Sequence, residues 1–136
     1  MIVGWSLHNL GHVALHAGVL GTAAAKFRES LLFRWRLGPG AEVAASLAGM
    51  ASVALREGQL IEAVRMLGAA DRMLESTGFM LSQADELVRG ADLTAIRLQL
   101  EDVAFVAAFA EGHAAKFEDL EAMSNAVSQH ARGRGS

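Results

Sequence analysis

The sequence predicts an all-α fold, an array of about six or seven helices arranged as helix hairpins. Residues of high helix propensity dominate the chain, which has one Pro and few β-branched residues. A frame of residues also repeats, because VALHAGVLGTA at 13–23 returns forty positions later as VALREGQLIEA at 53–63. At 136 residues, the chain is long enough to bury one core, so we expect one domain.

Each copy of the repeat predicts two helices joined by a short turn at a glycine. Apolar residues follow one helical stripe on both sides of Gly18, and they do so again around Gly58. Glycine adopts the left-handed backbone conformation without a steric penalty, so it ends the first helix and turns the chain back. We therefore predict two antiparallel hairpins and a positive φ at Gly58. The segment 37–41, which contains Pro39, separates the hairpins.

The second half of the chain predicts further helices in which the repeat is no longer intact. Gly78 ends the fourth helix, and Ser82 is a suitable N-cap for the next one. The three helices that follow are predicted over about 82–100, 103–115 and 117–129. We expect the single domain to span 1–129, and the polar, glycine-rich residues 130–136 to form a flexible tail.

The N-terminal segment is predicted to be a buried helix of a soluble protein. Residues 1–25 carry no Asp, Glu, Lys or Arg, but they lack the basic start and clean apolar stretch of a secretory signal. Four polar residues interrupt the segment too often for a membrane span, namely His8, Asn9, His12 and His16. Cysteine is absent, which fits the cytoplasmic location that we expect.

Both copies of the frame resemble the tetratricopeptide repeat. The first copy fills the pattern of that repeat with Leu10, Gly11, Gly18, Ala23 and Phe27. The second copy fills it with Met50, Ala51, Gly58, Ala63 and Leu67. The period of forty exceeds the usual value of about thirty-four because the connection at 37–41 is long, and a third unit is degenerate since Glu101-Asp102 replaces its glycine. The resemblance implies a tetratricopeptide-like, right-handed array of hairpins.

The order of segments resembles the C-terminal helical domain of large LuxR-type and ATPase-linked bacterial transcriptional regulators. The resemblance covers nearly the whole chain, and its most specific parts are RMLGAADRMLESTG at 65–78 and FAEGHAAKFEDLEAM at 109–123. In that family the domain is a sensor and interaction arm, beside a nucleotide-binding domain and a helix-turn-helix. This sequence contains no Walker-type loop and no basic recognition helix. The resemblance therefore implies a part in transcription regulation through the arm alone.

The expected function is that of a non-enzymatic protein-interaction module with a concave groove. The first helix of each hairpin would supply the groove-lining residues, which are Trp5, His8, His12, Leu15, His16, Ala48, Ser52, Leu55 and Arg56. A partner peptide would place apolar side chains against Trp5 and Leu15 while its polar atoms meet the His and Ser groups. The alternative is a small-ligand or effector-sensing pocket, enclosed by the same surface and the loop at 79–81.

Three histidines in the first helix raise the question of a metal site. His8, His12 and His16 stand four residues apart, and two imidazoles at that spacing can bind one Zn²⁺ or Ni²⁺. The equivalent positions in the second copy hold no ligand, and no carboxylate stands nearby in sequence, although Glu29 could approach. The sequence therefore favours a polar groove-lining stripe with no metal and no cofactor, and a physiological or adventitious metal is the alternative.

No catalytic site is predicted, so we do not expect an enzyme. The acids of the second half could suggest paired carboxylates, and they are Asp85, Glu86, Asp92, Glu101 and Asp102. Their helical spacing and the flanking Arg89 and Arg97 favour a solvated face instead. The Gly-x-Ser-x-Gly motif of a serine nucleophile is missing, and a cysteine nucleophile is excluded.

The expected partners are a protein or peptide and a second copy of the chain. A net charge of −3 does not indicate nucleic-acid binding, and no membrane association is expected. The first helix shows apolar residues around much of its circumference, including Ile2, Val3, Trp5, Val13 and Val19. Because terminal repeats normally carry a polar cap, this surface predicts a homodimer through the first hairpin.

Overall fold

The predicted all-α fold is confirmed. A computed structural model describes residues 2–38 and 40–133, with side chains from Gly4 onward. Seven helices and no strand occur in this part of the chain. They are α1 (Ile2–His16), α2 (Leu20–Trp35), α3 (Ala41–Arg56), α4 (Leu60–Thr77), α5 (Gln83–Arg97), α6 (Asp102–His113) and α7 (Phe117–Gly133). None of these helices is both long and apolar enough to cross a bilayer. Pro39, which was predicted to punctuate the chain between the hairpins, lies outside the described residues.

The two predicted hairpins are present, and their turns have the same geometry. α1 packs along α2, α3 packs along α4, and α2 joins the two hairpins by packing on α3. Gly18 and Gly58 have φ values of 78° and 77°, which confirms the left-handed turn. After each glycine a backbone N–H donates to the carbonyl five residues earlier, from Val19 to Ala14 at 2.9 Å and from Gln59 to Ala54 at 2.8 Å. Each turn is thus a Schellman motif that caps the preceding helix.

The turn at Gly58 supports a stability prediction. Gly58→Val is expected to lower the free energy of unfolding by about 1–2 kcal/mol or more, because a β-branched residue is strained at a φ of 77°. Chemical denaturation followed by circular dichroism measures the difference. Gly58→Asn is the matched control, since asparagine tolerates the left-handed conformation. A valine variant as stable as the asparagine variant would contradict this account of the turn.

The last three helices do not repeat the hairpin. α6 packs along α4, α5 lies mainly on α3, and α7 packs on α2 and α3. α4 and α6 approach closely at glycines, because a Cβ on Gly68 would lie 3.1 Å from the backbone nitrogen of His113. Since α4 already holds α6 at this crossing, α5 and α6 do not pack along each other as the first two pairs do.

The ends of the later helices agree only partly with the sequence prediction. Ser82 is the N-cap of α5, as predicted, and its Oγ accepts a hydrogen bond from the Asp85 N–H at 3.2 Å. The last helix extends beyond its predicted end at residue 129. α7 continues to Gly133 because Ala131 is fully buried and extends the apolar face of the helix. Residues 134–136 lie outside the described part.

Candidate functional site

The nine residues predicted to line a groove lie on α1 and α3 at different depths, and we call them together the α1/α3 groove. His8, Leu15, Ala48 and Ser52 are buried, His12 and Leu55 are half-buried, and Trp5, His16 and Arg56 are exposed. Two groove residues are covered by α5, which contacts His8 through Asp85 and Ser52 through Asp92. α5 therefore lies over the buried part of the groove.

At the α1 side of the groove, two imidazoles converge on one carboxylate. The Nε2 atoms of His8 and His12 lie 3.2 and 3.3 Å from the same Oδ1 of Asp85. The spacing of four residues places both rings on one face of α1. The Phe27 ring of α2 backs both of them with edge contacts, at centroid distances of 5.5 Å to His8 and 5.0 Å to His12.

The Asp85 carboxylate is favoured in its ionised form. Burial by itself raises the pKa of this carboxyl, but the adjoining imidazoles of His12 and His8 and the Ser82 hydroxyl lower it, to well below its usual range. The Ser82 Oγ donates to Oδ2 at 3.1 Å while it accepts from the Asp85 N–H. Oδ2 is thus held by the N-cap of α5, and Oδ1 remains directed at the two imidazoles.

At the α3 side of the groove, the pKa of the Asp92 carboxyl is shifted in the direction opposite to that of Asp85. Its Oδ2 accepts a short hydrogen bond from the Ser52 hydroxyl. Burial raises the pKa of the Asp92 carboxyl, and the Ser52 hydrogen bond with the charges of Arg56 and His12 offsets only part of that effect. The Arg56 guanidinium also donates to the Leu15 carbonyl at 2.8 Å, which ties α3 to α1.

The raised pKa of Asp92 predicts how stability changes with pH. Ionised Asp92 costs the folded state free energy, and this cost is absent below the ordinary aspartate pKa of about 3.9 and develops fully above the folded-state pKa. Asp92→Asn keeps an oxygen for Ser52, so its Tm at pH 7 should equal or exceed that of the wild type, with the advantage disappearing near pH 3. Asp85→Asn should instead lower the Tm at pH 7, because the folded state stabilises that charge. Calorimetry across this pH range measures both, and an Asp92→Asn protein that melts below the wild type at pH 7 would contradict the assignment.

The prediction of a solvated acidic face is wrong for two of its five residues. Glu86, Glu101 and Asp102 are exposed, whereas Asp85 and Asp92 are half-buried under α1 and α3. The sequence contained a signal for this, because Asp85 and Asp92 stand seven residues apart and share one face of α5 with the buried Ile96. The carboxylate beside His8 and His12 is therefore that of Asp85 in α5.

Two further pockets lie away from the groove. One, of about 550 Å³, opens between α5 and α6, and it is lined by Arg89, Leu93, Arg97, Phe105, Val106, Phe109, Ala110 and His113. The other, of about 650 Å³, includes the loop at 79–81, and it is lined by Leu74, Phe79, Met80, Leu81, Gln83, Glu86 and Leu87. Neither pocket contains a residue of the α1/α3 groove, so this loop borders a separate surface.

No protein-family model, curated protein or solved structure matches this chain. The resemblance to the arm of LuxR-type regulators therefore stays a prediction. Function has to be argued from the geometry of the described residues.

Proposed function

We propose that this chain is a non-enzymatic protein-interaction module that binds an acidic, amphipathic helix in the α1/α3 groove. One observation carries the proposal: α5 already lies across this groove as a helical ligand. Its Asp85 meets His8 and His12 of α1, and its Asp92 accepts from Ser52 of α3. A partner helix with two carboxylates seven residues apart would present the same groups to the groove.

The packing of α5 supports its replacement by a partner. Among the residues of α5 only Ile96 is buried, and the side chain of Leu87 is 69% exposed. Small apolar burial means that α5 leaves the groove at lower cost than the helices of the two hairpins. Trp5 on the neighbouring part of α1 is 65% exposed. A partner helix that covers Trp5 would bury apolar area that α5 leaves open.

Binding of a labelled peptide with the sequence of residues 82–100 to the full chain tests the proposal. Fluorescence anisotropy is measured in the presence of a chelator, with wild type and with Ile96→Ala. Ile96→Ala removes the buried anchor of α5 without changing the groove, so the variant should bind the peptide more tightly than the wild type. Within the peptide, the Asp85→Asn change should weaken binding, whereas Glu86→Gln should not, because Glu86 is exposed and pairs with Arg89. Absence of binding by both proteins would refute the proposal.

A small-ligand sensor is the second candidate, and the pocket between α5 and α6 favours it. The rings of Phe105 and Phe109 line this pocket beside the cationic groups of Arg89 and Arg97. The guanidinium of Arg97 lies 4.0 Å above the centre of the Phe105 ring. Such a lining fits an apolar or aromatic carboxylate. Saturable thermal stabilisation by a small aromatic acid, abolished by Phe109→Ala, together with no peptide binding, would favour the sensor.

We also propose that the chain forms a homodimer through the exposed face of α1. The exposed face of α1 has no formal charge and presents Trp5, Leu10 and Val13, which are 65%, 50% and 65% exposed. The side chains of Ile2 and Val3, also predicted for this surface, lie outside the described part. A two-fold dimer would cover the face with the same face of a second copy.

Light scattering at micromolar concentration tests the dimer. The wild type should have twice the mass of the monomer, and the double variant Trp5→Lys with Val13→Lys should be monomeric. Leu98→Lys is the control, because this apolar residue is also exposed, at 83%, but lies after α5. A monomeric wild type, or a Leu98→Lys variant that alone becomes monomeric, would contradict dimerisation through α1.

A further inference from the structure

We propose that His8, His12 and Asp85 form a Zn²⁺ site that ties α5 to α1. The three residues come from two helices separated by more than sixty residues of chain, and α5 brings the carboxylate to the imidazole pair. Their ligand atoms all lie within 4.8 Å of one another. His8 is buried, and His12 and Asp85 are half-buried, so the cluster is partly shielded from solvent.

The separation of the ligand atoms suits a tetrahedral ion. Two ligands at ~2.0–2.1 Å from Zn²⁺, with a tetrahedral angle between them, lie about 3.3–3.4 Å apart. The distances from Asp85 Oδ1 to the two Nε2 atoms are 3.2 and 3.3 Å. Both carboxylate–imidazole distances thus already suit one shared ion, and all the ligand atoms lie within 4.8 Å of one another, with a fourth position left for water.

The polar groups of this cluster are incompletely satisfied by one another. The His12 Nε2 is buried and has no hydrogen-bond partner within the described part of the chain, although it faces Oδ1 at 3.3 Å. The same Oδ1 atom is already paired with the His8 Nε2. A cation between the three atoms would accept both nitrogen lone pairs and neutralise the carboxylate, which removes the cost of a buried unpaired atom.

The surroundings of Asp85 also fit a metal ligand. The Ser82 hydroxyl donates to Oδ2, so the carboxylate is oriented with Oδ1 towards the imidazoles. Two imidazoles and one carboxylate are a ligand set that suits Zn²⁺ and its neighbours in the first transition row rather than Ca²⁺ or Mg²⁺. The third histidine of the stripe, His16, is exposed, and its ring centre lies 6.4 Å from that of His12. It stands outside the cluster.

A second group of potential ligands serves as an internal comparison. Asp71, Glu75 and His113 also come together, but they lie nearer to solvent. Asp71 pairs with Arg89 at 3.4 Å, so a cation there would have to compete with a guanidinium. We assign the site to His8, His12 and Asp85 because, of these two clusters, only that one contains two imidazoles.

The metal site does not depend on the proposed helix-binding function. Its effect on that function rests on the proposal: bound Zn²⁺ would hold α5 in the groove and oppose the binding of a partner helix.

The test uses the full chain without a polyhistidine tag, stripped of metal and titrated with Zn²⁺ against a chromophoric chelator. The wild type should bind one Zn²⁺ with a Kd below about 1 µM. Asp85→Asn and His12→Ala should each weaken binding by at least about tenfold, whereas Glu86→Gln and Glu75→Gln should bind as the wild type does. A loss confined to Glu75→Gln, or no stoichiometric binding by the wild type, would overturn the assignment.

X-ray absorption of the Zn²⁺-loaded wild type identifies the ligands without any substitution. Two imidazoles in a four-coordinate nitrogen and oxygen shell are expected. A shell of oxygen atoms alone would overturn the site even if Asp85→Asn failed to fold. Because the peptide experiment contains a chelator, failure of the metal site and failure of helix binding are observed separately.

Discussion

Gly112→Ala is expected to lower the Tm by about 10 °C or more, corresponding to about 3 kcal/mol in a chain of this size. A Cβ on Gly112 would lie 2.6 Å from the Arg65 carbonyl carbon and still closer to its oxygen. Both atoms belong to the backbone of α4, so no side-chain rotation relieves the overlap. α6 would have to move away from α4, and the apolar contacts of the buried Phe105 and Ala108 would be loosened.

Gly90→Ala is the matched control for this substitution, and thermal unfolding followed by circular dichroism measures both. Gly90 is also helical, but a Cβ there meets nothing within 4 Å. Alanine has the higher helix propensity, so this variant should melt at or slightly above the wild-type temperature. If the Gly112→Ala variant had the same Tm as the Gly90→Ala variant, this result would contradict the close approach of the α4 and α6 backbones at Gly112.

Phe27→Ala is expected to lower the free energy of unfolding by about 3–5 kcal/mol. The ring is fully buried, and it is held between two glycines: a Cβ would lie 2.7 Å from it at Gly11 of α1 and 2.5 Å from it at Gly49 of α3. Its removal leaves a cavity where three helices meet, and no larger side chain stands at these glycines to fill it. Urea denaturation at pH 7 measures the loss.

Phe79→Ala is the control for the loss of a phenyl ring, because the Phe79 side chain is 63% exposed. This variant should differ from the wild type by less than about 1 kcal/mol. Phe27→Leu, which retains an apolar side chain, should remain folded, so that Zn²⁺ binding by His8, His12 and Asp85 can be measured in it. Since the Phe27 ring backs His8 and His12, its loss should also weaken Zn²⁺ binding. A Phe27→Ala protein as stable as Phe79→Ala would contradict the burial of the Phe27 ring between the helices.

Local sequence determined the helices and the two hairpins. Apolar periodicity, the cap at Ser82 and the glycines at 18, 58 and 78 act over a few residues, so they can be recognised without knowledge of the rest of the chain. All three glycines have positive φ in the structure. The forty-residue repeat predicted the same turn in both hairpins, and the Schellman motifs at Gly18 and Gly58 have the same hydrogen-bond pattern. The helix prediction was less accurate at the C-terminus, where burial of Ala131 extends α7.

The candidate site was predicted only in part. The spacing of His8 and His12 identified one side of the site, since residues four apart on a helix always share a face. The same periodicity placed Asp85 on a face of α5, but solvent and a neighbouring helix are equally compatible with a face that carries acids. Whether Asp85 faces solvent or a neighbouring helix depends on where α5 packs.

The position of α5 follows from contacts between helices that are distant in the sequence. α6 rather than α5 lies along α4, because Gly68 and Gly112 let those two backbones approach, and α5 is left to cross α3 and reach α1. The contact between His8 and Asp85 spans 77 positions of the chain, so no local pattern encodes it. The sequence by itself determined which helices form, since their hydrogen bonds and caps are local. The packing of the helices determined that Asp85 lies beside His8 and His12. This packing depends on how closely the backbones of α4 and α6 can approach, which involves residues far apart in the chain.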